Sequence, residues 1–180
     1  MLGVVPVYKC DDRFYQNIII KPEDADETIP NGTACYNGCP TSLEEYIEAV
    51  RNAGHGDLEM FHTVKQPAYI NNNVYLNGAD VFEKENNYFK GEGAGAKLVH
   101  KEKEVYLQIT IPEGAFAGLD TELIGTHNLE LTRLSEEAFE NPDGSPIVID
   151  KDLLQNPIGA HPVPGPLQSL KEGENLIRIW

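Results

Sequence analysis

Two adjacent carboxylates and an arginine, Asp11, Asp12 and Arg13, lead into an aromatic pair, Phe14 and Tyr15. Carboxylates beside aromatic rings are equipment for sugar chemistry. One carboxyl protonates a leaving oxygen, a second attacks or activates water, and ring faces hold the sugar. In an extended chain Asp11 and Asp12 face opposite ways, and Arg13 would hold one of them ionised. The plainer alternative is that Asp12 and Arg13 simply pin the start of a strand. A second acid pair, Glu83 and Glu85, sits two residues apart, hence on one face if extended; a solvent-facing pair is its alternative. These five residues form the candidate catalytic set. His55 is weighed as catalytic against a plain exposed loop histidine.

Other chemistries find less support. Cys35 and Cys39, spaced Cys-x3-Cys without nearby histidines, are a weak zinc signal, and the third cysteine, Cys10, is distant. Glu23, Asp24, Asp26 and Glu27 lack the ordered spacing of a calcium loop. Gly91 to Gly95 has no strand-to-helix context for a phosphate cradle. None of Ser42, Ser135, Ser145 and Ser169 sits in a Gly-x-Ser-x-Gly elbow. No cofactor and no metal is therefore expected. Asn31-Gly32-Thr33 matches a glycosylation sequon, which means little without a secretion signal.

The charge narrows the partners. With 14 basic against 29 acidic residues, the formal charge of −15 disfavours nucleic acid and anionic membrane surfaces. It suits a neutral ligand such as a carbohydrate, although solubility alone accounts for much of it. No apolar run reaches membrane-spanning length and no leader is evident, so a cytoplasmic protein with reduced thiols is expected.

The elements that must position these residues are mostly strands. Residues 3–8 read as a short strand broken by Pro6. Phe14 to Ile20 reads as a strand buried on both faces, because three consecutive isoleucines cannot alternate. Ala68 to Asp80 echoes it: apolar, Asn-rich, apolar. Asn beside short β-branched strands suits tight corners, and two such coils hint at a repeat architecture. Thr41 to Gly54 is one amphipathic helix with a Ser42/Glu45 capping box and Gly54 as a left-handed cap. Leu58 to Val64 reads as a possible strand and residues 81–97 as irregular. Gly91 to Gly95 is the candidate boundary between a part spanning 1–90 and a part spanning 91–180. In the second part Glu104 to Ile111 alternates as a half-buried antiparallel strand. Leu123 to Gly125, Leu129 to Leu134 and Ile147 to Ile149 read as short strands. Glu174 to Trp180 reads as a last strand with Trp180 docked.

Several stretches carry a resemblance in order along nearly the whole chain: DDRFYQNIII, NNNVYLNGAD with Glu83 or Glu85 following, EVYLQITIPEGAF, FENPDGSPIVIDKDLLQN and PGPLQSLKEGENLIRIW. Together they resemble the C-terminal part of right-handed parallel β-helix proteins of carbohydrate metabolism, the β-xylosidase-like glycoside hydrolases of family 120. The resemblance implies O-glycosyl bond hydrolysis, with Asp11 and Asp12 as first candidates, then Glu83 and Glu85, and Arg13 orienting a carboxylate or a sugar hydroxyl. It also implies that upstream coils, absent here, carry much of the helix and its chemistry. The chain departs from the pattern at Gln16, where the family has Asn, and at Pro157 or Ile158, where it has a basic residue. The insert from Glu23 to Gly56 is another departure.

The expected fold is mainly β: right-handed parallel β-helix-like coils with one covering α-helix, followed by antiparallel sandwich-like strands. The expected function is glycoside hydrolysis, with a β-xyloside as the substrate the resemblance implies; the alternative is a non-catalytic module, either structural or holding glycan on rings drawn from Tyr69, Tyr75, Tyr88, Tyr106 and Trp180, most of which suit a core equally well. A structural module would self-associate or stack on an upstream β-helix segment through its open coil edge.

Overall fold

The structure is a computed structural model that describes residues 11–54 and 56–180. The expected strand at residues 3–8, Cys10 and His55 lie outside the described residues. The described residues are mainly β, with eight short strands in three sheets, two α-helices and one 3-10 turn.

The first half is built from parallel pairs that bend at a shared corner. Strand β1 (Asp12–Tyr15) pairs in parallel with β3 (Ala68–Asn71), and β2 (Ile18–Ile20) with β4 (Val74–Leu76), which pairs in turn with β5 (Phe89–Gly91). Between β1 and β2, and again between β3 and β4, the chain turns through a left-handed residue, Gln16 and Asn72, both at φ +59°. Asn adopts that conformation more readily than Gln. Gln16 is held there by its side-chain amide, which donates to the Glu122 carbonyl at 2.6 Å.

The asparagines do what their position suggests. Asn73 Oδ1 accepts from the backbone N–H of Asn17 at 2.8 Å and from its side chain at 3.1 Å. Asn73 Nδ2 donates to the Phe14 carbonyl at 2.9 Å, and the Asn87 amide reaches Asn72 Oδ1. Backbone groups left over at the corner thus find side-chain partners in the neighbouring layer.

Three expectations about this half need correction. Ile18 to Ile20 is half-buried, not fully covered, because β2 is an edge strand with no neighbour beyond it among the described residues. Asp57–Thr63 is a helix, α2, not a strand; its Leu, Glu and Met are good helix formers. The first helix, α1 (Leu43–Asn52), has the expected cap: Ser42 Oγ accepts from Glu45 N at 3.1 Å, while Glu45 Oε2 accepts from Thr41 N at 2.9 Å. It ends differently, because Ala53 leaves in an extended conformation and Gly54 has no left-handed role.

The second half contains an antiparallel sheet in the order β6–β7–β8, from Gly95–Lys101, Glu104–Ile111 and Gly173–Arg178. Strand β7 alternates as expected, with Ile109 and Ile111 buried. Residues 81–97 are more regular than expected, since they contain β5 and the start of β6. The strands expected at Leu123 to Gly125, Leu129 to Leu134 and Ile147 to Ile149 do not form; only single bridges such as Gly125 to Val148 appear. Trp180 is another correction. Its backbone is tied to Val105 in both directions, but the indole is 80% exposed.

One apolar cluster joins the halves: Val74 and Leu76 of β4 pack with Ile109, Ile111, Ala115, Leu167 and Leu170. A smaller cluster of Cys39, Ala68, Ile70 and Phe82 lies under β3. Among the described residues no helix is long and apolar enough to cross a membrane.

Candidate functional site

Period-two alternation divides the β1–β3 pair into two faces. Asp12, Phe14, Ala68 and Ile70 share one, against the Cys39–Phe82 cluster. Arg13, Tyr15, Tyr69 and Asn71 share the other, in register as Arg13 with Tyr69 and Tyr15 with Asn71.

Arg13 is the anchor of the second face. Its Nε donates to the Leu129 carbonyl at 2.7 Å and Nη2 to the Leu131 carbonyl at 2.9 Å. Nη1 pairs with Asp11 Oδ1 at 2.8 Å. The guanidinium lies between two rings, 4.5 Å from the centre of Tyr69 and 4.8 Å from that of Phe139. Asp11 also accepts from the backbone N–H of Arg133 at 2.7 Å through Oδ2. Arg133 stacks on Tyr46 of α1 at 4.2 Å. Asp11, Arg13 and Arg133 therefore bolt the 129–133 loop onto β1 and α1.

The other candidate acids stand apart from this bolt. Asp12 turns to the opposite side and accepts from the Tyr36 hydroxyl at 2.8 Å. Glu83 is exposed and caps the backbone N–H of Gly38 at 2.6 Å. Glu85 is 5% exposed; it accepts from Asn73 N at 3.1 Å, from Asn73 Nδ2 at 3.0 Å and from the Tyr75 hydroxyl. Glu83 and Glu85 thus do not share a face, because the segment turns instead of extending. Burial pushes the Glu85 carboxyl above its ordinary range, against the lowering effect of its hydrogen bonds. The Tyr75 hydroxyl is raised by burial and by Glu85.

Two adjoining clefts open on the Arg13–Tyr69 face, and Tyr69 and Thr41 line both. One, of about 190 Å³, runs past Glu44, Leu131 and Arg133. The other, of about 310 Å³, follows the free edge of β3 past Tyr15, Asn71, Lys84 and Asn86. The second exists because β3 has a strand beside it on one edge only, while the loop 84–87 takes the place of a third layer. Burial pushes the Tyr15 hydroxyl up to about 12 and raises that of Tyr69, with Arg13 opposing both shifts. Of the five candidate catalytic residues, none lines these clefts. Tyr69 is one of the rings that the glycan-binding alternative offers, whereas Asn71 and Asn86 escaped the sequence reading as site residues. The period-two register with Arg13 is the signal that could have found them. Among the described residues no group of three or more His, Cys, Asp or Glu side chains is placed to hold a metal ion.

A mainly β chain with an open, tyrosine-lined groove and acids committed to its framework is the class these observations define. No protein-family model and no curated protein matches the chain. Among solved structures it is similar to XylC, described as "The complex structure of XylC with xylose", at 40% sequence identity and a TM-score of 0.84. The match covers 94% of this chain and 26% of that one. The chain therefore spans about a quarter of the length of XylC.

Proposed function

We propose that this chain is part of a carbohydrate-active protein related to glycoside hydrolases, and that its ligand class is the β-xyloside. The observation that carries the reading is the 40% identity to a protein solved with xylose, extending over 94% of this chain. In this reading the Asn-cornered pairs are coils of a right-handed parallel β-helix, from 1 to 90, and the antiparallel part from 91 to 180 is sandwich-like. The chain's own contribution is to hold the sugar. Asp11 and Glu85 are consumed by Arg13, Arg133, Asn73 and Tyr75, which suits framework acids better than acids that exchange protons with a substrate.

One observation favours hydrolysis by the chain itself as a second reading. Asp12 and Glu83 each accept a single described side-chain or backbone hydrogen bond and keep one oxygen uncommitted. They would be the acid and the base or nucleophile. The purified chain is assayed against aryl β-xylosides, and xylose and xylotriose binding is measured on the same sample. Binding without turnover is expected. Turnover lost in both Asp12→Asn and Glu83→Gln would establish the hydrolytic reading; turnover indifferent to both would remove these residues from it. A chain that neither binds nor cleaves any xyloside would sink the β-xyloside assignment.

A further inference from the structure

We infer that the Tyr69 groove is a saccharide-binding site, with the Tyr69 ring as its platform and the Tyr15, Asn71 and Asn86 polar groups as its hydroxyl readers. The inference rests on the carbohydrate reading above and gives it a place.

The platform is built before any ligand arrives. Arg13 covers one face of Tyr69 at 4.5 Å and is itself fixed by Asp11 and by the carbonyls of Leu129 and Leu131. The part of the ring left to the clefts is the part that a sugar's C–H face can meet, since the π face is electron-rich. A ring locked from behind loses little freedom on binding.

The readers are uncommitted. Among the described residues the Tyr15 and Tyr69 hydroxyls and the Asn71 and Asn86 side-chain amides make no hydrogen bond, while their neighbours are occupied: Asn87 by Asn72 and Lys84 by Glu45 at 2.9 Å. Two hydroxyls and two amides offer both donors and acceptors, which suits the alternating needs of sugar hydroxyls. The two clefts together fall in the range of small-ligand sites, roughly 300–1,000 Å³.

The charge selects the ligand. Glu44, Glu130 and Glu136 line the smaller cleft against one cation, Arg133, which Glu136 pairs at 3.6 Å; Lys84 is already paired, and the chain carries −15 overall. An anionic ligand such as a sugar phosphate is repelled, and a neutral oligosaccharide is not.

The test is a two-dimensional amide NMR titration of the full chain with xylotriose. The side-chain amides of Asn71 and Asn86 and the backbone amides of residues 68–71 and 84–87 are expected to shift. Tyr69→Ala should weaken binding about tenfold or more, and Tyr69→Phe, which keeps the platform, only a few-fold. Because Tyr69→Ala touches a strand, Asn86→Ala serves as the second variant; its side chain is exposed, so its melting temperature should stay at the wild-type value while affinity falls roughly threefold to tenfold. Shifts that gather elsewhere, or wild-type affinity in both Tyr69→Ala and Asn86→Ala, would overturn the groove and leave the carbohydrate reading standing. No shift with xylotriose, cellotriose or mannotriose would overturn both.

Discussion

Glu85 shows how a carboxyl can be central without being reactive. It closes a buried circuit in which Tyr75 meets Thr33 at 2.6 Å and Thr33 in turn accepts from Phe82 N at 2.9 Å. Burial favours its neutral form in the folded chain. A carboxyl whose folded pKa is raised binds more protons folded than unfolded over the intervening range. Its contribution is fully present below its unfolded pKa, about 4.3, and is lost as pH rises through the folded value. Gln in its place can keep the Asn73 bonds through its carbonyl oxygen and donate to Tyr75, with the Tyr75 proton left to Thr33. Relative to wild type, Glu85→Gln should therefore gain stability as pH rises from about 4 to 7. Urea midpoints across that range measure it. A difference independent of pH would mean that Glu85 is already ionised without cost. Glu85→Ala, which removes the acceptor of both Asn73 bonds while Tyr75 can still donate to Thr33, should cost about 2 kcal/mol or more.

At the scale of elements, much of the first half was legible because corners have a chemistry. Asn17, Asn72 and Asn73 announced turns between short apolar runs, and the structure uses each of them. The capping box at Ser42 was equally legible, being a purely local device. What failed was decided by partners that sequence order hides. Leu129 to Leu134 has strand-like residues, yet Arg13 takes the Leu129 and Leu131 carbonyls and Asp11 takes the Arg133 N–H, so no ladder can form. Ile18 to Ile20 suggested burial on both faces, and its edge position leaves all three isoleucines partly open to solvent. The candidate acids were visible as residue types, whereas the groove's readers gained meaning only once the register set Tyr69 opposite Arg13. Glycine supplies a test of how strictly one layer of the fold is spaced. Gly32 (φ +73°) bridges to Asp80, and a Cβ there would run into the Asp80 carbonyl oxygen, whereas Gly118 (φ +75°) has nothing within 4 Å. Gly118→Ala should cost about 1–2 kcal/mol for the left-handed backbone alone. Gly32→Ala should cost clearly more, since backbone must move as well. Equal losses in thermal melts would mean that the bridge to Asp80 yields freely.

At the scale of the whole molecule, the apolar cluster decides how the halves behave. Leu167 is fully buried, and it lies in the same cluster as Val74 and Leu76 of β4, two elements that the sequence separates by about ninety residues. The linking segment is fastened too: Asn77 exchanges hydrogen bonds with Ala94 at 2.8 and 3.0 Å, and its backbone N–H reaches the Gly91 carbonyl at 2.9 Å. A shared core with a fastened link should open as one unit, whatever the evolutionary boundary. Cys39 reports on this from the first half, because its thiol is buried against Ala68, Ile70 and Phe82 while Cys35 is exposed. Leu167→Ala should destabilise the chain by about 2–5 kcal/mol. Where reclosing outruns labelling, modification of Cys39 follows the population of open chains. The substitution should then speed Cys39 labelling by the same factor that it raises the global unfolding constant, on the order of a hundredfold for about 3 kcal/mol, and leave Cys35 labelling unchanged. Peptide mass spectrometry after thiol alkylation separates the two cysteines. Cys39 labelling that ignores Leu167→Ala would mean that the first half opens by itself, and that the cluster binds two units together without making them one.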